Sequence, residues 1–328
     1  LPLRIRHIVV ILFVVSIGSK GQDPTFSQFY ANSLYLAPSF AGSTEDFRFA
    51  INYRNQWPAI PGVFHTYSIS FDRYMPNFSS GIGVLATYDV AGSGDLSTTN
   101  VGLLYSYDFR ITNEWHIRPG VQFKFQYLGL NIYKLIFNSS LSPGGVTPPI
   151  IPPPFESVAD FDFTTSVIAY NDKNWAGITV DHLLRPKQSF YGDESFVPVK
   201  VNVFGGTQLI ARGRLRRKYD EILTIAANFQ VQSSFYQSDV GVYYYRSPLM
   251  FGMWYRGIPF VTSQAGDAVI GLLGYKTDDL QIGYSYDFTI SNLIASTAGA
   301  HEISIVYKFT TMTPGQRGRF RAIPCPDF

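Results

Sequence analysis

Residues 115–127 read WHIRPGVQFKFQY. Taken alternately, Trp115, Ile117, Val121, Phe123, Phe125 and Tyr127 fall on one side, and His116, Arg118, Gln122, Lys124 and Gln126 on the other. A period of two is the signature of a β-strand with unlike faces. Other stretches repeat it. Leu280, Ile282, Tyr284, Tyr286 and Phe288 oppose Gln281, Gly283, Ser285 and Asp287; Ile303, Ile305, Tyr307 and Phe309 oppose Glu302, Ser304 and Lys308; Phe47, Phe49, Ile51 and Tyr53 oppose Arg48, Asn52 and Arg54. A soluble sandwich also alternates, but it turns small apolar residues inward and polar ones to water. Here the apolar side is aromatic, and the polar side mixes charges of both signs with Gly and Ser. That contrast predicts lipid outside and a packed polar lumen inside.

Composition agrees. Charged residues make up 15% of the 328, against roughly 25% in ordinary soluble domains. Aromatics reach 16%, with 27 Phe and 22 Tyr. Mean hydropathy is +0.03, and beyond the first twenty residues no run approaches the ~20 apolar residues a membrane helix needs. A net charge of +2 is too small for a nucleic-acid partner. A single cysteine, Cys325, rules out an internal disulfide framework.

Fourteen strands are predicted, at 47–56, 63–74, 79–90, 97–109, 114–128, 159–170, 174–184, 197–210, 221–232, 238–246, 248–256, 266–276, 279–288 and 300–309. An even number is what a bacterial single-chain barrel requires. Even-numbered connections are mostly tight, at 75–77, 110–113, 171–173, 247–248 and 277–278, and one, the basic stretch 212–218, is long. Most odd-numbered ones are longer, and 130–158 is rich in Gly and Pro, including Pro148, Pro149 and Pro152 to Pro154. Short periplasmic turns opposite longer external loops fit an all-β transmembrane antiparallel barrel over 47–309 in the outer membrane, with loops at the cell surface and both termini periplasmic.

Arg4, Arg6 and His7, then the apolar run 8–17 and Ser19-Lys20-Gly21, predict a signal peptide over 1–21; a short anchor helix is the alternative. Residues 22–46 hold Phe26, Phe29, Tyr30, Leu34, Tyr35, Leu36 and Phe40 but no strand pattern. Leaving such side chains in water costs about 1.5–3 kcal/mol each, so this segment is expected to tuck into the barrel as a plug. Residues 310–328 are expected as a periplasmic tail. Arg48, Arg54, Asp72, Asp108, Arg118, Lys124, Lys200, Asp287, Glu302 and Lys308 fall on polar faces and are expected to pair inside the lumen. A closed scaffold is therefore favoured over an open channel.

Nothing assembles an active site. The histidines His65, His116, His182 and His301 sit on four separate predicted strands. His182 follows Asp181, and neighbours on one strand point to opposite faces. Asp160 and Asp162 share a face and are expected to pair with Arg or Lys. No metal-binding, phosphate-binding or dinucleotide motif occurs, so no enzyme, metal or cofactor is expected. Candidate partner-binding residues are few. Trp57, Pro58, Ile60 and Pro61 form a stiff aromatic tip, or serve as an interface anchor. Arg212, Arg214, Arg216, Arg217 and Lys218 make a basic turn, either solvated or facing an acidic partner. Cys325 is expected to be a free thiol, with attachment to another chain as the alternative. The string YSYDFRITN at 105–113 recurs as YSYDFTISN at 284–292, and parity places the two at opposite ends of the barrel.

Several long strings in order, QDPTFSQFYANSLYLAPSFAGS at 22–43, YRNQWPAIPGVFHTYSISFD at 53–72, WAGITVDHLLRPKQSF at 175–190, WYRG at 254–257, DAVIGLLGY at 267–275, IGYSYDFTISNL at 282–293 and HEISIVYKF at 301–309, resemble the PorP/SprF family of the type IX secretion and gliding system of Bacteroidetes. The resemblance implies an outer-membrane component of that machinery. Its expected partners are periplasmic secretion or motor components and a large exported or surface protein such as an adhesin. A transporter of hydrophobic small molecules is the rival, and predicts an apolar pocket and a lateral gap.

Overall fold

The computed structural model describes residues 23–44, 47–60, 62–131, 134, 156–212, 221–257, 268–290, 298–309 and 323–325. The first strands are β1 (Phe47–Gln56), β2 (Val63–Met75), β3 (Ser80–Gly92), β4 (Leu96–Tyr107), the two-residue β5 (Phe109–Arg110), β6 (His116–Gly129), β7 (Ser157–Tyr170) and β8 (Asn174–Asp181). Then come β9 (Lys200–Arg212), β10 (Glu221–Gln232), β11 (Phe235–Arg246), β12 (Leu249–Arg256), β13 (Ala268–Lys276), β14 (Leu280–Thr289) and β15 (Ala300–Phe309). Each pairs antiparallel with its neighbours, β4 pairs directly with β6, and β1 pairs with β15 from Phe47↔Phe309 to Gln56↔Ala300. The sheet thus closes on itself as a fourteen-stranded barrel with one extra strand, β5. Closure leaves no terminal edge, the condition for strands to cross hydrocarbon.

The alternation is inverted relative to a water-soluble protein. Along β6 the polar residues His116, Arg118, Gln122, Lys124 and Gln126 are buried, while Phe123 and Phe125 are 49% and 40% exposed. Arg118 is 0% exposed. Wherever β1, β14 and β15 were read the same way, Ile51, Ile282, Tyr284, Ile303, Ile305 and Tyr307 face out and Arg48, Arg54, Asp287 and Glu302 face in. Phe47 stacks on Phe309 at 4.8 Å between ring centroids, bridging the outer side of the β1–β15 closure.

Most strand ends shift by one to three residues from expectation, and three places differ for a visible reason or at a loop. The strand expected at 97–109 breaks at Asp108, whose carboxylate turns inward to His116 Nδ1 (3.0 Å) and the Tyr170 hydroxyl (3.1 Å), so β5 is separate. The strand expected at 174–184 stops at Asp181, because His182 and Arg185 take left-handed φ of 58° and 52°. The next strand starts at Lys200 rather than 197.

The tight connections 76–79, 108–115, 171–173, 247–248 and 277–279 lie at one end, with the start of β1 and the end of β15. The other end carries 57–62, 182–199 and further connections, of which 93–95 and 233–234 are also short. Residues 23–44 run between the ends inside the ring, with one helical turn at Ser33–Leu36 and a 3-10 turn at Pro38–Phe40. Phe29, Tyr30, Leu34, Leu36 and Phe40 pack on the inward-facing Leu85, Leu104, Ile168, Trp175, Phe204, Tyr243, Trp254 and Ile270. Part of the lumen is therefore an apolar core, beside the polar faces expected from the alternation. Phe309 is at the tight-turn end, but Asp23 contacts Lys200, Gln232 and His182, all at the loop end.

Candidate functional site

The lumen and the segment it encloses form the site, and three polar clusters fix the segment along its length. At the loop end, the Asp23 carboxylate accepts from His182 Nε2 (2.8 Å), from Gln232 Nε2 (3.3 Å) and from the Lys200 ammonium. His182 Nδ1 donates to Asp162 (2.7 Å), and Lys124 bridges Asp162 (3.1 Å) and Asp181 (2.6 Å). Both ring nitrogens of His182 face carboxylates, which requires the imidazolium. Three carboxylates then balance Lys124, Lys200 and His182. Burial pushes the His182 imidazole down, but Asp23 and Asp181 outweigh it and raise it to about 9. Burial likewise pushes the Asp23 carboxyl up, and His182 and Lys200 outweigh that, holding it well below the usual range. Asp23, Asp181 and His182 could in principle surround a cation; Lys124 and Lys200 already supply the positive charge there.

The expectation that Asp181 and His182 face apart is corrected by the end of β8 between them. The left-handed His182 turns its ring back into the lumen. This break also leaves Ser157–Thr164 of β7 outside the β8 register, which covers only Thr165–Tyr170, and past the break the Leu183 amide donates to the Phe163 carbonyl at 3.1 Å. Asp160 and Asp162 close the seam. Asp160 accepts the amides of Phe161 (2.8 Å) and Lys187 (3.0 Å), and Asp162 those of Phe163 (2.8 Å) and Leu184 (3.4 Å).

The second cluster grips residues 27 and 28. Glu302 accepts both backbone amides, Ser27 at 2.7 Å and Gln28 at 3.0 Å, and pairs with Arg54 at 3.2 Å. Asp287 pairs with Arg54 (2.8 Å) and Arg256 (2.9 Å), Arg256 reaches Asp239 (2.8 Å), and the Ser27 hydroxyl donates to Asp287 (2.7 Å). The third cluster holds residues 39–42. Asp72 accepts from the Gly42 amide (2.7 Å) and Arg48 (2.8 Å), while Arg118 donates to the Gly42 carbonyl (2.8 Å) and the Ser106 hydroxyl (3.0 Å). The wall admits this contact because Gly81 and Gly120 have no side chain; a Cβ at either would run into Ala41 or Ser39.

Eight of the sequence-derived lumen charges, Arg48, Arg54, Asp72, Arg118, Lys124, Lys200, Asp287 and Glu302, are buried in these clusters. Asp108 pairs with His116 and Tyr170, and Lys308 is half-buried near the rim. Arg256 and Asp239 were missed, as were the inward-facing Trp254 and Trp175. Period-two parity along 250–256 could have found Met250, Trp254 and Arg256 together. Trp57, with φ 55°, packs edge-on against Phe64 and its amide donates to the Gly299 carbonyl at 2.8 Å, so it ties the first loop to the last. Pro58 is exposed, Ile60 is half-buried, and Pro61 lies outside the described residues. Arg212 is exposed and 3.9 Å from Glu221. Arg214, Arg216, Arg217 and Lys218 lie outside the described residues, as do the prolines of the 130–158 connection, the leader 1–21 and residues 310–322. Cys325 is half-buried beside the apolar core, next to the buried Ile323 and Pro324, whose carbonyl accepts from Gln208 (2.9 Å). The outer-face His65 and His301 bond the Tyr53 and Tyr284 hydroxyls at 2.9 and 2.8 Å. Of the repeated strings, Asp108 lies at the tight-turn end and Asp287 towards the loop end.

A cavity of about 30 Å³ lies between the segment and β8–β10, lined by Phe26, Phe29, Asn32, Leu36, Asn202 and Asn228 among others. That is the share of about one water molecule, against ~300–1,000 Å³ for a small-molecule site.

A model of the family described as type IX secretion system membrane protein PorP/SprF matches residues 18–307. No curated protein matches in sequence. Among solved structures, a TodX monoaromatic hydrocarbon channel mutant is 12% identical with TM-score 0.47, covering 84% of this chain and 92% of that one. The Pseudomonas putida toluene transporter TodX is 11% identical with TM-score 0.44, covering 88% and 94%. The KdgM porin is 8% identical with TM-score 0.39, covering 80% and 99%.

Proposed function

The chain belongs to the PorP/SprF family of type IX secretion system membrane proteins, an outer-membrane barrel, and from that premise we propose that it works as a closed scaffold rather than as a conduit. In this reading the loop end faces the cell surface and holds an exported protein such as an adhesin. The tight turns, the basic turn from Arg212 to Lys218 and the tail around Cys325 face periplasmic components of the machinery. Residues 22–46 act as a plug. The observation that carries the proposal is the filled interior: residues 23–44 are bonded to the wall at three levels by buried charges. Buried ion pairs with one partner missing are costly, about 3–5 kcal/mol, so this filling is not casually vacated. Deleting the gene and following exported protein by protease accessibility on intact cells tests the scaffold. Loss of the exported protein from the surface is expected; unchanged surface protein and unchanged motility would contradict it.

Transport of hydrophobic small molecules is the second reading. In its favour, Phe26, Phe29 and Leu36 line the cavity beside the β7–β8 seam. It calls for uptake of an aromatic hydrocarbon that depends on the protein, which the scaffold does not.

A further inference from the structure

The polarity of the buried segment has a consequence for where the chain begins. β1 starts at Phe47, opposite Phe309, at the tight-turn end. Next to it, Gly42 lies against Asp72 and Arg118, and Ala41 against Ser106. Towards the amino terminus, Ser39 meets Ser166, Tyr30 meets Trp175, and Ser27 and Gln28 meet Glu302, the third residue of β15. Asp23 then reaches Lys200, the first residue of β9, Gln232, the last of β10, and His182 just beyond β8. All three are at the loop end. The segment reaches the loop end at Tyr35, which lies under Lys200 and bonds the Pro24 carbonyl, dips at Tyr30 to Trp175, and rises again, so that Asp23 sits at the loop-end mouth with its side chain partly exposed.

We infer that the amino-terminal end of the mature chain emerges at the loop face, so that the two chain ends face two different compartments. At the carboxyl end, Ile323 is buried in the apolar core and Pro324 is bonded to Gln208 near the end of β9, at the tight-turn mouth. One chain thus offers a handle on each side of the membrane. The amino end joins Trp57 and the loops in the surface that meets the exported protein, and the carboxyl end joins the turns. That the loop face is the cell surface rests on the orientation proposed above; that the amino end shares the loop face does not.

The experiment places an epitope after Gln22, after Ala59 in the first loop, or after Asn77 in a tight turn, one per protein, and reads antibody binding on intact and permeabilised cells. Each tagged protein is checked for folding by its heat-dependent migration on a denaturing gel. Should a tag prevent folding, Gln22→Cys, Ala59→Cys and Asn77→Cys in a Cys325→Ser background are labelled with an impermeant maleimide instead. The inference expects the Gln22 and Ala59 positions to be read to the same extent on intact cells and Asn77 only after permeabilisation. If Gln22 and Ala59 are both hidden and Asn77 is open, the proposed orientation fails and the shared face stands. If Gln22 is read with Asn77 and apart from Ala59, the inference is overturned.

Discussion

Glu302 shows how a single side chain organises the interior. It is fully buried, accepts two backbone amides of the lumenal segment and balances Arg54. Replacing it with Ala leaves Arg54 and two amides short of an acceptor, and removing one partner of a buried pair costs about 3–5 kcal/mol. Glu302→Ala is therefore expected to lower the urea midpoint of the detergent-solubilised barrel clearly, whereas Ile303→Ala, on the outer face next to it, should shift it little. Equal shifts would mean the interior charges are not what fixes the segment. His182 makes the same interior sensitive to pH. Its imidazole, raised to about 9 from an ordinary 6.5, stabilises the docked Asp23 fully below the ordinary value and loses that contribution as pH rises through 9. Asp23, held low, contributes above the ordinary carboxylate range and loses it only as pH falls. Protease cleavage within residues 23–28 should rise as pH passes from 7 to 10, and His182→Gln should flatten that profile. A flat profile in the unsubstituted protein would contradict the assignment. Sequence parity placed Arg54, Asp287 and Glu302 inside, but not the amides they hold. Pairing between remote strands and an irregular segment leaves no periodic trace, and the left-handed turn at His182 is a tertiary choice that hid its bond to Asp162.

At the scale of elements, the strands were legible because lipid on one side and a filled lumen on the other impose a period of two. The fourteen expected strands correspond to β1–β4 and β6–β15 with shifted ends. The lapses fall where a polar side chain turns the chain, at Asp108 and after Asp181. The wall and the segment depend on each other through Gly81 and Gly120. Gly120→Val should push residues 38–39 off the wall while leaving the β6 ladder intact, since Val suits a strand. Deleting residues 23–44 goes further. In planar bilayers the intact protein is expected to show no stable conductance, and the deletion variant to show stepwise ion current through an unfilled lumen. Steps of equal size from both would contradict the plug proposed for the segment. Because β1 pairs with the last strand, β15, the ring closes only when the chain is complete.

The whole molecule inverts the usual arrangement of a protein in water, with aromatic rows outside and ion pairs inside. The two faces were readable from WHIRPGVQFKFQY, where Arg118 and Lys124 cannot share a face with Phe123 and Phe125, and the inversion from the aromatic side and mixed charges recurring along several strands. The direction of the segment was not readable, because nothing in residues 22–46 alternates. The most direct test follows spin labels at successive positions of β6 in liposomes, in a Cys325→Ser background, using oxygen as the lipid-soluble relaxant and a nickel chelate as the aqueous one. Labels at Val121, Phe123 and Phe125 are expected to be relaxed by oxygen, and labels at Gln122, Lys124 and Gln126 to be shielded from it. Equal accessibility along the strand, or strong nickel relaxation at Phe123 and Phe125, would contradict the outward hydrocarbon face on which the account stands.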